Sequence, residues 1–152
     1  MRKKTSLILV IVFCLPVLGF SASFKVYPGA TVEDVYVPKQ SEFEAKVSKA
    51  PKVIIFTTHD VFENVVAFYR GMGREYRMPG TGGRLPRLPS GQELKEAYFI
   101  FDNAPDLGTS KHWIKIQHPY LTRAQTSQGF QGKYEKIRNV TAIIEEDRRS
   151  YP

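Results

Sequence analysis

The stretch KVIIFTTHDVFENVVAFYRGM, residues 52–72, decides the fold. Its opening run Val53-Ile54-Ile55-Phe56 is continuously apolar and rich in β-branched side chains, the pattern of a central strand buried on both faces. Asp60 then offers an acceptor to the first amides of a helix, and Glu63 three residues on completes a capping box. At 100° per residue Val61, Val65, Phe68 and Met72 fall on one line, with Phe62, Val66 and Tyr69 on the line beside it. Glu63, Asn64, Arg70 and Arg74 occupy the rest of the surface. So wide an apolar arc predicts a helix lying across a sheet. Gly71 and Gly73 end it soon after Met72, with a frayed extension to Tyr76 as the alternative.

Upstream, Pro28-Gly29 is turn chemistry, and Thr31–Val37 is an edge-like strand that Pro38 ends. The polar stretch Lys39–Ala50 is a loop or one short helix. Downstream, Met78–Gly91 is dense in Gly, Pro and Arg without apolar periodicity, and reads as a long surface loop. A strand over Leu94–Phe101 and a turn over Asp102–Gly108 follow. Lys111–His118 alternates, with His112, Ile114, Ile116 and His118 on one face and Lys111, Trp113, Lys115 and Gln117 on the other. Pro119 ends that strand. After Tyr120 and Leu121 comes a polar connection, Thr122–Lys136, then a last strand over Arg138–Glu146 and a fraying tail from Arg148. The order strand, strand, helix, strand, strand, strand predicts an α+β fold. It is an antiparallel sheet of four or five strands with one main amphipathic helix packed on one face.

The chain's first residues have a different character. Arg2, Lys3 and Lys4 precede the apolar run Leu7–Phe20, and Ser21-Ala22-Ser23 supplies small residues after it. The run is shorter than the roughly 20 residues that span a bilayer, so residues 1–23 are expected to be a signal peptide and 24–152 one α+β domain. Cleavage after Ser23 is the first choice and after Ser21 the second; an uncleaved anchor is the remaining alternative. Cys14, the only cysteine, lies inside the apolar run behind Ile11-Val12-Phe13, which excludes a lipid-anchor signal. The domain after it therefore has no disulfide, thiolate nucleophile or cysteine-bound zinc, and its core must suffice alone. A small exported domain without disulfides points to a bacterial protein, periplasmic or secreted. The net charge of +7 falls to +4 once the three leader cations are removed, too mild for a nucleic-acid partner. No membrane span is expected after signal cleavage.

Tyr27-Pro28-Gly29-Ala30 ahead of a strand, a strand ending Thr57-Thr58-His59-Asp60, and a helix carrying Phe68-Tyr69-Arg70 together resemble a pattern recurring in small exported bacterial proteins of uncharacterised function. The resemblance covers the first half of the domain. It implies export and fold, and carries no catalytic residue.

Arginines crowd residues 70–87: Arg70, Arg74, Arg77, Arg84 and Arg87, interrupted by glycines, with Glu75 the only acid. Glycine lets backbone amides approach an anion, and guanidinium forks suit phosphate or carboxylate, so Arg74, Arg77, Arg84 and Arg87 form a candidate anion site. The plainer reading, a solvated loop whose arginines pair with surface acids, takes precedence. Gly80-Thr81-Gly82-Gly83-Arg84 lacks the spacing and ending of a phosphate-binding P-loop. His112 and His118 share a strand face, but six residues of strand hold them roughly 20 Å apart, too far for one ion, and no metal or cofactor is expected.

No serine or threonine nucleophile with a histidine base and no catalytic carboxylate pair is legible, and Glu145-Glu146-Asp147 reads as a solvated run. Asn139-Val140-Thr141 fits a glycosylation sequon inside a predicted strand of a bacterial chain, a chance match. Trp113, Tyr120 and Tyr98 are candidates for an aromatic surface on the sheet face the helix leaves open, because one helix cannot cover five strands. Cover by the long loops is the plain alternative.

The sequence thus supports an exported, non-catalytic binding module whose partner is a protein, an envelope component or another copy of itself. A small-molecule or anion-binding domain using the arginine-rich loop is the alternative, and an enzyme of unrecognised type the third.

Overall fold

The computed structural model describes residues 23–36, 52–79, 87–88, 90–124 and 133–149. The expected leader, Ser23 apart, lies outside them, as do Lys39–Ala50 and Arg84. Along the chain run β1 (Thr31–Tyr36), β2 (Lys52–Thr58), α1 (Phe62–Arg70), β3 (Arg74–Tyr76), β4 (Lys95–Ile100), β5 (His112–His118), β6 (Tyr120–Ala124), β7 (Lys133–Arg138) and β8 (Thr141–Asp147). Six of the strands form one sheet in the order β1-β2-β8-β5-β4-β3, and every pairing is antiparallel. The other two, β6 and β7, pair with each other as a separate hairpin. The fold is therefore mostly sheet, α+β, with one helix among the described residues.

The apolar run Val53–Phe56 does form a strand, but β2 stands second from an edge. The central place goes to β8, which inserts between β2 and β5. Ala142 and Ile143 on β8 are wholly buried on opposite faces, so the last strand in sequence holds the two layers of core together. As its indecisive alternation suggested, β1 is an edge; it carries a bulge between Val32 and Asp34, and Val32 and Val35 are exposed.

Register assigns the faces. Ile54 and Phe56 of β2, Ile143 of β8, Ile114 and Ile116 of β5, and Ala97 and Phe99 of β4 stand on one side of the sheet. Val65, Val66 and Tyr69 of α1 bury against them, each buried side chain contributing roughly 1.5–3 kcal/mol. The helix packs on β4 and β5. Beyond it, the N-terminal segment adds Phe24, Tyr27 and Ala30 to the same core, with Gly29 at φ 79° making the turn.

Four local expectations are corrected. The helix begins at Phe62 with Val61 as its N-cap, and no side chain caps it. Asp60 lies one residue too early, where its carboxylate accepts from the Val61 amide and the Asn64 side chain, while Glu63 pairs with Lys95 of β4 instead of reaching back. A cross-element ion pair has displaced the local capping box. Val61, outside the helix, is exposed. After Gly73 the chain forms β3, not a frayed turn of helix; a Cβ at Gly73 would stand 3.1 Å from the Phe101 ring, a contact tight enough that the ring would have to shift. Finally, the connection read as polar loop from Thr122 to Lys136 contains the β6–β7 hairpin, and Leu88 of the expected surface loop is buried with Leu94 and Leu121.

Candidate functional site

The second face of the sheet carries Val53 and Ile55 of β2, Ala142, Ile144 and Glu146 of β8, Trp113, Lys115 and Gln117 of β5, and Glu96, Tyr98 and Ile100 of β4. Described residues cover it in two places. Tyr120 and Val140 close over Val53, Ile55 and Ala142, with Ile144 at the margin. Arg138 anchors this cover: its guanidinium lies 5.9 Å from the Tyr120 ring centre and pairs with Glu33 of β1. The Leu88–Leu94–Leu121 group seals the start of β4.

Between these covers runs a strip of half-buried side chains. The Tyr98 and Trp113 rings stand 6.4 Å apart at 43°. Lys115 reaches Glu96 at 2.6 Å and lies 6.0 Å from the centre of the Tyr98 ring, whose hydroxyl donates to Glu96 at 3.1 Å. The Trp113 indole N–H has no acceptor among the described residues. Of the predicted aromatic surface, Trp113 and Tyr98 thus meet on the open strip. Tyr120 does not join them; it is buried as part of the cover. The period-2 pattern placed Trp113 correctly, but the hairpin that buries Tyr120 had no sequence signal.

Among the described residues, Arg70, Arg74 and Arg87 each hold a partner of their own, and Arg84 lies outside them. Arg74 on β3 donates to the Ala104 carbonyl, Arg87 stands 3.6 Å from Glu93 beside their isolated bridge, and Arg70 pairs with Glu75 at 2.8 Å. Arg77 follows β3 and is exposed. The guanidinium beside Glu75 holds that carboxyl below its usual range.

Two polar groups escaped sequence reasoning. At the helix start, the Thr141 hydroxyl donates to the Asp60 carbonyl at 2.8 Å and therefore accepts from His118 Nδ1 at 3.2 Å, because a hydroxyl has one proton to give. The Tyr27 hydroxyl donates to the Asp60 carboxylate, and that bond, with those from Asn64 and Val61, holds Asp60 below the ordinary carboxylate range. Tyr27 also packs edge-on to Phe68 at 5.2 Å, and the Tyr69 hydroxyl donates to the Lys25 carbonyl. The three short motifs singled out in the sequence therefore converge, and what they build is a packed joint between N-terminal turn, strand end and helix.

At the other end of the sheet, His112 Nε2 meets Glu145 Oε1 at 2.9 Å with both side chains buried. Asp147 lies directly across from His112 in register and is paired with Arg149. The histidine partner sought along β5 is instead a pair of carboxylates on the neighbouring β8. Only the strand pairing, which sequence spacing does not specify, could have revealed it.

No helix among the described residues is long and apolar enough to cross a membrane. Compared with known proteins, the chain matches no family model, no curated protein and no solved structure.

Proposed function

We propose that this chain is an exported, non-catalytic binding module of the bacterial envelope, and that its partner docks on the strip around Trp113. The observation that carries the proposal is that, among the described residues, the second sheet face is incompletely covered, with Tyr98 and Trp113 half-buried between two sealed patches. Exposed aromatic rings are enriched at interface cores, and paired charges at their polar rims. Glu96 and Lys115 stand side by side there, opposite charges that a two-fold-related copy can cross-match, so a second copy of the chain is the first partner to test. Export is supported by the basic start, the short apolar run and the small residues at 21–23.

Trp113 is the only tryptophan, so its emission reports on the strip directly. In sedimentation equilibrium a concentration-dependent dimer is expected, with Trp113 shielded from acrylamide as it forms and Tyr98→Ala weakening it. A strictly monomeric protein that retains an isolated envelope fraction only through Trp113 would move the proposal to a foreign partner. Binding indifferent to both Trp113→Ala and Tyr98→Ala would end it. Mass spectrometry of protein recovered from the periplasm tests export separately; a start at Phe24 or Ala22 is expected.

A further inference from the structure

We infer that His112, Glu145 and Asp147 form a binding site for one divalent transition-metal ion, with zinc as the probe. Each offers one ligand atom, and these atoms all lie within 4.8 Å of one another. The three residues share the helix face of neighbouring strands: His112 stands opposite Asp147 in register and Ile114 opposite Glu145. Donors around a tetrahedral ion at about 2.1 Å stand about 3.4 Å apart, so the site closes by about 1.5 Å of side-chain movement or less.

One imidazole and two carboxylates are donors that such ions accept, and the set leaves a coordination position for water. The ligands are held in place. The His112 ring lies against Phe101 at 5.2 Å and Phe24 at 5.7 Å, and its amide is bonded to Asp102 and Ser110. His112 and Glu145 side chains are 1% and 10% exposed, so neither has freedom to lose on binding. Asp147 lies nearer solvent and gives the ion its entry.

A cation already answers the negative charge. Arg149, in the exposed tail, donates to both oxygens of Asp147 at 2.9 and 2.8 Å, and Asp147, Glu145 and Asp102 together favour its charged form. A metal ion replaces that guanidinium. Ligation through Nε2 puts the ring proton on Nδ1, which has no acceptor among the described residues. Lacking that outer-shell bond costs about 10- to 100-fold, so affinity is expected near micromolar, weaker than in closed structural sites.

The experiment is calorimetric titration of the purified protein with zinc chloride, alongside cobalt(II) absorption. One ion per chain is expected. Asp147→Asn should weaken binding at least about tenfold and shift the cobalt spectrum. Arg149→Ala should tighten it about two- to fivefold by removing the competitor, a direction expected of an ion held beside Asp147 and not of one bound elsewhere on the surface. His59→Ala, at an exposed histidine away from the cluster, should change nothing. The site is overturned by the absence of stoichiometric zinc binding, by equal binding in Asp147→Asn, by loss in His59→Ala, or by weaker binding in Arg149→Ala. His112→Gln extends the test where it folds, and the Asp147 and Arg149 variants decide it where it does not.

Discussion

Asp102 holds the turn between β4 and β5 with one side chain. Its Oδ1 accepts from the Ser110 hydroxyl at 2.9 Å and the Ala104 amide, while Oδ2 accepts from the amides of Lys111 and His112. Desolvation pushes this carboxyl up, but the hydrogen bonds from Lys111, Ser110, Ala104 and His112 outweigh it, and Asp102 titrates below its ordinary value. Its folded value being depressed, its contribution is fully present above the unfolded value near pH 4 and is lost as pH falls through the folded value. Asp102→Asn turns an acceptor into a donor facing amide donors, so a loss of about 1–3 kcal/mol at pH 7 is expected, shrinking below pH 3. Urea unfolding at the two pH values measures it; an equal deficit at both would show that charge is irrelevant there. Gly73 is a second single-residue constraint. Its missing Cβ leaves room for the Phe101 ring at 3.1 Å and the Ile100 carbonyl at 3.3 Å, so Gly73→Ala should lower stability by about 1–3 kcal/mol in the same assay. An unchanged midpoint would mean that Phe101 moves aside freely.

Among the elements, α1 was the most legible because its signal is local. Val65, Val66 and Tyr69 repeat at the helical period and are the residues the helix buries. Val65→Asp puts a carboxylate into that core without a partner and should abolish the cooperative thermal transition, whereas Ala67→Lys on the exposed side should move stability by less than about 0.5 kcal/mol. If Val65→Asp melted like the parent, the helix would not be packed where the sheet needs it. β4 and β5 were legible to within one residue at each end, whereas β8, read from Arg138, begins three residues later at Thr141; Phe99, Ile114, Ile116 and Ile143 fall at the period-2 positions that face the helix. β3 was not. Arg74-Glu75-Tyr76 is three residues long and owes its form to pairing with Tyr98–Ile100. β6 and β7 likewise owe theirs to each other, and Lys133–Arg138 carries no apolar alternation to announce a strand. Of the candidate sites, Trp113 was visible because period 2 puts it opposite Ile114. The His112 cluster was invisible, because its partners come from a strand whose neighbour is chosen by the whole sheet.

For the molecule as a whole, the helix face is closed by the N-terminal segment as much as by α1. The helix packs on β4 and β5, and the space toward β2 receives Phe24, whose ring stacks on Tyr69 at 5.9 Å and meets Phe56 at 6.3 Å, Phe101 at 5.7 Å and His112 at 5.7 Å. Phe24 therefore ties β2, α1 and the β4–β5 turn into one core. If the chain is processed after Ser23, as proposed, this ring becomes its first side chain, and processing one residue further would remove it. Phe24→Ala should cost about 2–3 kcal/mol, below the full range for a buried phenylalanine because the ring keeps some exposure, and Phe24→Leu less than about 1.5 kcal/mol. A chain beginning at Lys25 should melt with Phe24→Ala, and one beginning at Ser23 with the full-length protein. Tyr27, bonded to Asp60, and Lys25, bonded to Tyr69, remain in both shortened chains, so their comparison isolates the Phe24 ring. Equal melting of the Ser23 and Lys25 chains would show that the core closes without Phe24, and that the cleavage position has no bearing on stability.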